Sequence, residues 1–180
     1  MTRGLVEHFR AMARNNAWSN ARLHGACARL SPAEFAAPRA GFFPSLRATL
    51  NHVLVVDRAY LADLDGTGRA LGGPAEPYPD AAELAAQQAA TDRTLVGFCD
   101  RLGPADLGRV VAIDRGDGVD YRETVAAILA HLFVHQIHHR GQVHAMLSGT
   151  SVPPPQLDEF FLTSDAPLRA AELRRLGLDA

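Results

Sequence analysis

At 180 residues, with 47% hydrophobic and 21% charged residues, the chain is sized for one domain with a substantial core and is ordinary in composition for a globular protein. A net charge of −2 and a pI near 6.4 supply no global basic footprint for nucleic acid or an anionic membrane, and 7% aromatic residues offer little for base stacking. No uncharged run reaches the ~20 apolar residues of a membrane span, and Arg3, Glu7 and Arg10 interrupt the N-terminus before a signal-peptide core could form, so a cytoplasmic protein is expected.

From Thr2 to Leu30 the stripe Leu5, Phe9, Met12, Asn16, Leu23, Cys27 and Leu30, filled by Ala13 and Ala17, predicts a long amphipathic helix. Trp18 lies off this stripe and is expected to meet a second neighbour. Cys27 and Cys99 form no CxxC and fall near apolar stripes, as buried free thiols do. Ser31-Pro-Ala-Glu34 is a capping box with proline at the first helical position and predicts a short turn of helix.

After a loop from Pro38 to Pro44, Ser45 can cap a second long helix carrying Leu46, Leu50, Val53, Leu54, Tyr60, Leu61 and Leu64, which Asp65-Gly-Thr-Gly ends. His52 sits in the middle of it, followed by Asp57 and Arg58. Gly66 to Pro79 reads as a loop rather than a domain linker, because the flanking helices have incomplete apolar faces of their own. Asp80-Ala-Ala-Glu83 is a second capping box and opens a third long helix with Leu84, Gln88, Thr91, Leu95, Phe98 and Leu102, stopped by Gly103-Pro104. Val110 to Asp114 and Val119 to Tyr121, around Arg-Gly-Asp-Gly, predict a short β-hairpin.

The fourth long helix runs from about Glu123 to Ser148, with Gly149 beyond it. It contains HLFVHQIHHRGQVH, from His131 to His144, which holds five of the eight histidines. A stiff Pro153-Pro-Pro155 connector, a short apolar segment from Leu157 to Leu162 and a small helix from Thr163 to Leu176 follow. Together these elements predict one all-α domain over residues 1–180. It is an antiparallel four-helix bundle with a short β-hairpin between the third and fourth long helices and a small C-terminal helix.

At ~100° per residue, His131, His135, His138, His139 and Gln142 fall within roughly a third of the circumference of their helix. His135 and His139 are four apart and project one above the other, about 6 Å along the axis. That is the spacing with which two imidazoles from one helix hold one metal ion, as in HExxH. Metal sites in bundles draw on facing helices, which makes His52 the natural third ligand. A histidine buried with a hydrogen-bond partner would read the same way in isolation. His138 could replace His135, His131 is one turn too early to share the ion easily, and His144 faces away. Arg140 is expected to pair with an acid such as Asp57.

The segment HLFVHQIHHRGQVHAML, with LNHVLVVDRAYL and NNAWSNARL upstream, resembles the DinB (damage-inducible) family of four-helix-bundle metalloproteins. The resemblance runs from the first helix through the Pro-rich connector to Leu157-Asp158. It places the metal on His52, His135 and His139 and implies a homodimer and a divalent ion, with zinc or nickel favoured and manganese or iron as alternatives. It further implies kinship with enzymes that use the ion to help a low-molecular-weight thiol attack an electrophile, or that isomerise maleylpyruvate with a thiol cofactor.

Three neutral imidazoles leave at least one coordination position open, as in catalytic rather than closed structural zinc sites. The ligands need partners for their second nitrogens, and His131, His138, Gln142 and Asp57 are the candidates. The reaction expected is a metal-dependent transfer that activates a small thiol, with His138 or Tyr121 assisting proton transfer if they face the open position. The alternative is a metal-binding stress-response protein without catalysis, whose ion ties two helices together in a closed site. No nucleic acid or membrane partner is expected, since arginines are scattered and form no basic stripe.

Overall fold

The computed structural model describes residues 2–68, 74–113, 115 and 117–178. Four long helices form the bundle: α1 (Thr2–Cys27), α3 (Leu46–Leu64), α4 (Ala81–Arg101) and α5 (Val125–Leu147). A short α2 (Pro32–Ala36) follows α1, strands β1 (Val110–Ile113) and β2 (Tyr121–Thr124) join α4 to α5, and α6 (Ala166–Leu176) lies beyond the bundle. Among the described residues no helix is long and apolar enough to cross a membrane.

The helix starts are set by the side chains the sequence offers there. Ser31 and Glu34 exchange hydrogen bonds in a full capping box at α2. Asp80 accepts from the backbone N–H groups of Ala82 and Glu83 at α4, and Thr124 accepts from Ala127 at α5. Ser45 accepts from the Ala48 N–H at 3.0 Å, in a position 5% exposed. Ser45→Ala would leave that donor buried without water or partner. It is expected to cost about 1 kcal/mol, read as a lower urea midpoint at unchanged slope; an unchanged midpoint would show the cap to be dispensable.

Side-chain pairs fix the direction of each helix. Asn20 meets Asp92 and Arg14 meets Asp100, so α1 and α4 run antiparallel. Tyr60 meets His131 and His52 meets His135, so α3 and α5 are antiparallel too. By contrast, Phe9 stacks on Phe133 and Asn16 meets Arg140, which makes α1 and α5 parallel. Arg47 reaches Glu76, ahead of α4, and Arg58 reaches Gln87 and Thr91, so α3 and α4 are parallel as well. The directions are therefore up, down, down, up around the square α1–α4–α3–α5. The Gly66–Pro79 segment is the long connection that parallel neighbours require, and Asn51 pins its end by bonding both the N–H and the carbonyl of Tyr78. Residues 69–73 of that segment lie outside the described residues.

The hairpin differs from the sequence expectation in its second strand. Val110 pairs with Thr124 and Ile113 with Tyr121, so pairing begins at Tyr121 rather than spanning Val119 to Tyr121. Asp117 explains the shift, because its carboxylate accepts from the Val119 N–H at 3.1 Å and draws that residue into the turn. Val119 is left exposed, while Val111 and Ile113 point into the core. Asp114, expected to end the first strand, lies outside the described residues.

Two apolar clusters fill the bundle, one at each end. Phe9, Leu61, Leu95, Phe98, Leu129 and Phe133 centre the first, and Leu23, Leu46, Leu50, Leu54, Leu84 and Val143 the second. Between them lies a buried polar layer. Gln88 Nε2 donates to Asp57 Oδ2 at 2.9 Å and Asp92 Oδ1 at 3.1 Å. Asn16 and Asn20 donate to Asp92, Gln136 donates to Asp57, and Arg140 donates to Asn16, Asn20 and Gln136. Each long helix supplies at least one member.

Trp18, off the α1 stripe, is fully buried against the C-terminal segment. Its ring lies 5.7 Å from Phe160 and its Nε1 donates to Glu172 at 2.7 Å. Arg22 covers the indole at 4.2 Å and bonds the same carboxylate, strapping α6 to α1. Cys27 and Cys99 are free and buried, and burial pushes both thiols up to about 12.

Candidate metal centre

The antiparallel contact of α3 with α5 brings His52, His135 and His139 together at the edge of the polar layer. One ring nitrogen from each lies within 4.8 Å of those of the other two. His52 Nε2 and His135 Nε2 approach to 3.0 Å, and the ring centroids of His135 and His139 are 4.4 Å apart, as the i, i+4 spacing requires. No other group of three or more His, Cys, Asp or Glu among the described residues converges in this way.

The electrostatics suit a cation. Burial, then the neighbouring imidazoles, holds His135 down to about 3 and His52 down to about 4; burial also lowers His139. Near neutral pH all three rings are therefore uncharged and carry lone pairs. His139 Nδ1 lies 2.9 Å from Gln142 Oε1, and an amide oxygen only accepts, so the ring hydrogen sits on Nδ1 and Nε2 keeps its lone pair. Gln142 Nε2 in turn lies 3.0 Å from His138 Nε2 and donates to it. His135 Nδ1 is buried with no hydrogen-bond partner. The donor set of three neutral imidazoles, one with its tautomer fixed, fits a divalent transition-metal ion.

A cavity of about 450 Å³ opens beside the three imidazoles. Val56, Ala59 and Ile113 give it apolar wall, while Tyr60, Asp63, His131 and Arg115 bring polar groups. His131 is exposed and sits edge-on to Tyr60 at 5.5 Å, and the Arg115 guanidinium lies over the Tyr121 ring at 4.7 Å.

The other candidates are placed differently. His138 is exposed and bound to Gln142, and the Tyr121 hydroxyl donates to Asp117 at 2.9 Å; neither lines the cavity. Asp57 is in the polar layer, accepting from Gln88 and Gln136, rather than against the imidazoles. Arg140 bonds the layer's amide oxygens, so Gln136 stands between it and Asp57. His144 bonds the Pro155 carbonyl at 3.0 Å.

Phe43, which nothing in the sequence marked, packs its ring 4.4 Å from His52 and 5.6 Å from His139. The loop that carries Phe43 runs close against α5, where a Cβ at Gly41 would meet the Met146 side-chain methyl.

The DinB family model matches residues 2–170. The chain belongs to the DinB family. The crystal structure of a DinB-like protein from Bacillus cereus ATCC 10987 superposes with a TM-score of 0.61 at 15% identity, covering 77% of this chain and 90% of that one. At that identity the likeness concerns the fold. No curated protein matches the chain. The DinB assignment accounts for the bundle, and the three-histidine cluster of this member is compatible with metal binding.

Proposed function

We propose that this DinB protein holds a divalent ion, zinc or nickel before manganese or iron, on His52, His135 and His139 and uses it to transfer a small thiol to an electrophile. The observation that carries this reading is the cavity of about 450 Å³ against the same three imidazoles. A closed structural site would have protein atoms on all sides, whereas this one leaves room for a molecule beside the ligands. When bound, the ion would supply Lewis acidity that favours the deprotonated form of an incoming thiol.

The chain's own groups divide the remaining work. Gln142 holds the His139 ring in the tautomer that presents Nε2, and Phe43 shields His52 and His139 on another side. Val56, Ala59 and Ile113 would receive the apolar body of the electrophile, and Arg115 would face an anionic group on it. Tyr60 and His131 line the cavity and are able to carry a proton, taking the place expected for His138 and Tyr121. The homodimer that the family resemblance implies belongs to this reading, with exposed Val134, Ile137 and Phe161 as apolar surface for it.

The test is spectroscopic. Cobalt-substituted protein titrated with cysteine, glutathione and other cellular thiols is expected to gain a thiolate-to-metal charge-transfer band. A spectrum unchanged by all of them removes the thiol chemistry. If chelation then also collapses the melting temperature, the ion's role is to tie α3 to α5 without catalysis.

A further inference from the structure

A second cavity, of about 480 Å³, lies where α1, α5 and the segment after the Pro-rich connector meet. It shares no lining residue with the cavity beside the histidines, and its volume is within the range of small-molecule sites. Asn15 and Ser19 line it from α1, and Arg140, Gly141 and His144 from α5.

The Arg140 guanidinium gives this wall its character. The side chain is 5% exposed, and burial lowers it only to about 10, so it is a cation near neutrality. All three of its hydrogen bonds leave from Nη1 and end on neutral amide oxygens. Nε and Nη2 make none, and neither is sealed in, because they belong to the part of the guanidinium that the cavity reaches. These two nitrogens form one edge of the group, whose parallel N–H bonds match the two oxygens of a carboxylate. Asn15 and Ser19 are buried and likewise make no side-chain hydrogen bond, so an amide and a hydroxyl stand ready on the same wall.

The cavity also carries the opposite charge. Asp158 lines it, is exposed, and makes no ion pair or hydrogen bond among the described residues, with Arg140 or with any other group. His144 Nε2 donates to the Pro155 carbonyl at 3.0 Å, so in the neutral ring Nδ1 keeps its lone pair. A buried cation and an acid that share one cavity without touching suit a molecule bearing both charges. A simple carboxylate would leave Asp158 unpaired beside it. A phosphate would set two negative charges near Asp158, and no second arginine or lysine lines the cavity. Ile137, Leu157 and Phe161 supply apolar wall.

We propose that this cavity binds a free α-amino acid with a large apolar side chain. Its carboxylate lies on the Nε–Nη2 edge of Arg140, beside Asn15 and Ser19. Its ammonium faces Asp158 and His144 Nδ1, and its side chain lies on Ile137, Leu157 and Phe161. The site is separate from the thiol chemistry and does not depend on it. Ile137 and Phe161 also belong to the apolar surface assigned above to the homodimer, so the rival occupant is a second copy of the chain.

The probe is L-phenylalanine, titrated by calorimetry into the full-length, metal-loaded protein. Saturable binding with a Kd below about 1 mM is expected. L-Phenylalaninamide, which lacks the carboxylate, and 3-phenylpropionate, which lacks the ammonium, should each bind about tenfold more weakly or worse. Asp158→Asn, at an exposed position, should erase the preference for L-phenylalanine over 3-phenylpropionate. A Cβ at Gly141 would meet nothing within 4 Å, so Gly141→Trp has room to project into the cavity and should abolish binding with metal content unchanged. Amino acids also chelate metal ions, so binding that persists in Gly141→Trp would put the ligand on the histidine cluster and overturn the proposal. Absence of saturation, equal affinity for either analogue, or an unchanged preference in Asp158→Asn overturns it too. So does a drop in oligomeric mass in Gly141→Trp, which would show that a second copy fills the cavity.

Discussion

Replacing His139 with alanine is expected to abolish stoichiometric divalent metal in the purified protein, read by elemental analysis and by titration of the apo-protein. His139 is the ligand with its tautomer fixed, through Gln142, and its ring is within 5 Å, centroid to centroid, of both His52 and His135, at 4.8 and 4.4 Å. Without it His52 and His135 remain, and two neutral imidazoles do not hold an ion against water in a site that keeps an open position. The fold should survive, because the ring belongs to neither apolar cluster. Full metal retention in a folded His139→Ala protein would sink the ligand assignment. A protein that never folded would instead implicate the ion in stability.

The largest expected loss of stability comes from Arg140→Met. Arg140 is 5% exposed and donates to amide oxygens of Asn16, Asn20 and Gln136, which stand beside Asp92 and Asp57. Methionine replaces the stem but leaves three acceptors unpaired and two buried acids without their cation, a change expected to cost about 3–5 kcal/mol. Burial, then the charge of Asp92, pushes the Asp57 carboxyl up to about 8, while burial raises Asp92 to about 6; Arg140 opposes both. A carboxyl whose folded pKa lies above its unfolded value of 3.8 keeps its proton when the unfolded chain has lost it. Stability from this pair therefore falls as pH rises from about 4 to about 8.

Removing Arg140 raises both carboxyls further. The gap between wild type and Arg140→Met should thus widen with pH, as read from urea midpoints at several values between pH 5 and 9. His24 works in the opposite sense, since its folded pKa is depressed and stability is lost as pH falls below its ordinary 6.5. Comparing two proteins that share His24 cancels that contribution. A loss below about 1 kcal/mol with parallel pH profiles would show that the layer is held by its amides alone.

Much of the bundle could be read from local chemistry. Ser31, Ser45 and Asp80 start helices where their side chains reach orphan N–H groups, and 3.6-residue periodicity set the buried faces. The i, i+4 spacing of His135 and His139 depends on one helix, so it too was visible. Other features depend on which helices meet. The parallel pairing of α3 with α4 follows from a long connection whose path carries no local signal. Asp57 was expected beside the imidazoles, yet five residues on a helix turn it about 140° from His52, into the polar layer. Asn16 and Gln88 already lay in the apolar stripes, and polar residues on a core-facing stripe were the trace of that layer. Phe43, Tyr60 and Arg115 come to the cavity from a loop, a helix and a hairpin turn, and no spacing relates them.

The order of the helices around the square has a consequence for how the chain folds as it is made. α1 is the first element to emerge, but it docks on α4 and α5, and its contacts with Asp92 and Arg140 span 72 and 124 residues. At about 5–20 residues per second, its apolar face, with Phe9 and Leu23, waits several seconds for native partners. A bundle of consecutive up-and-down hairpins would cover its first helix almost at once. Here loop closure comes before reward, which slows folding and leaves α1 as the segment most in need of protection during synthesis.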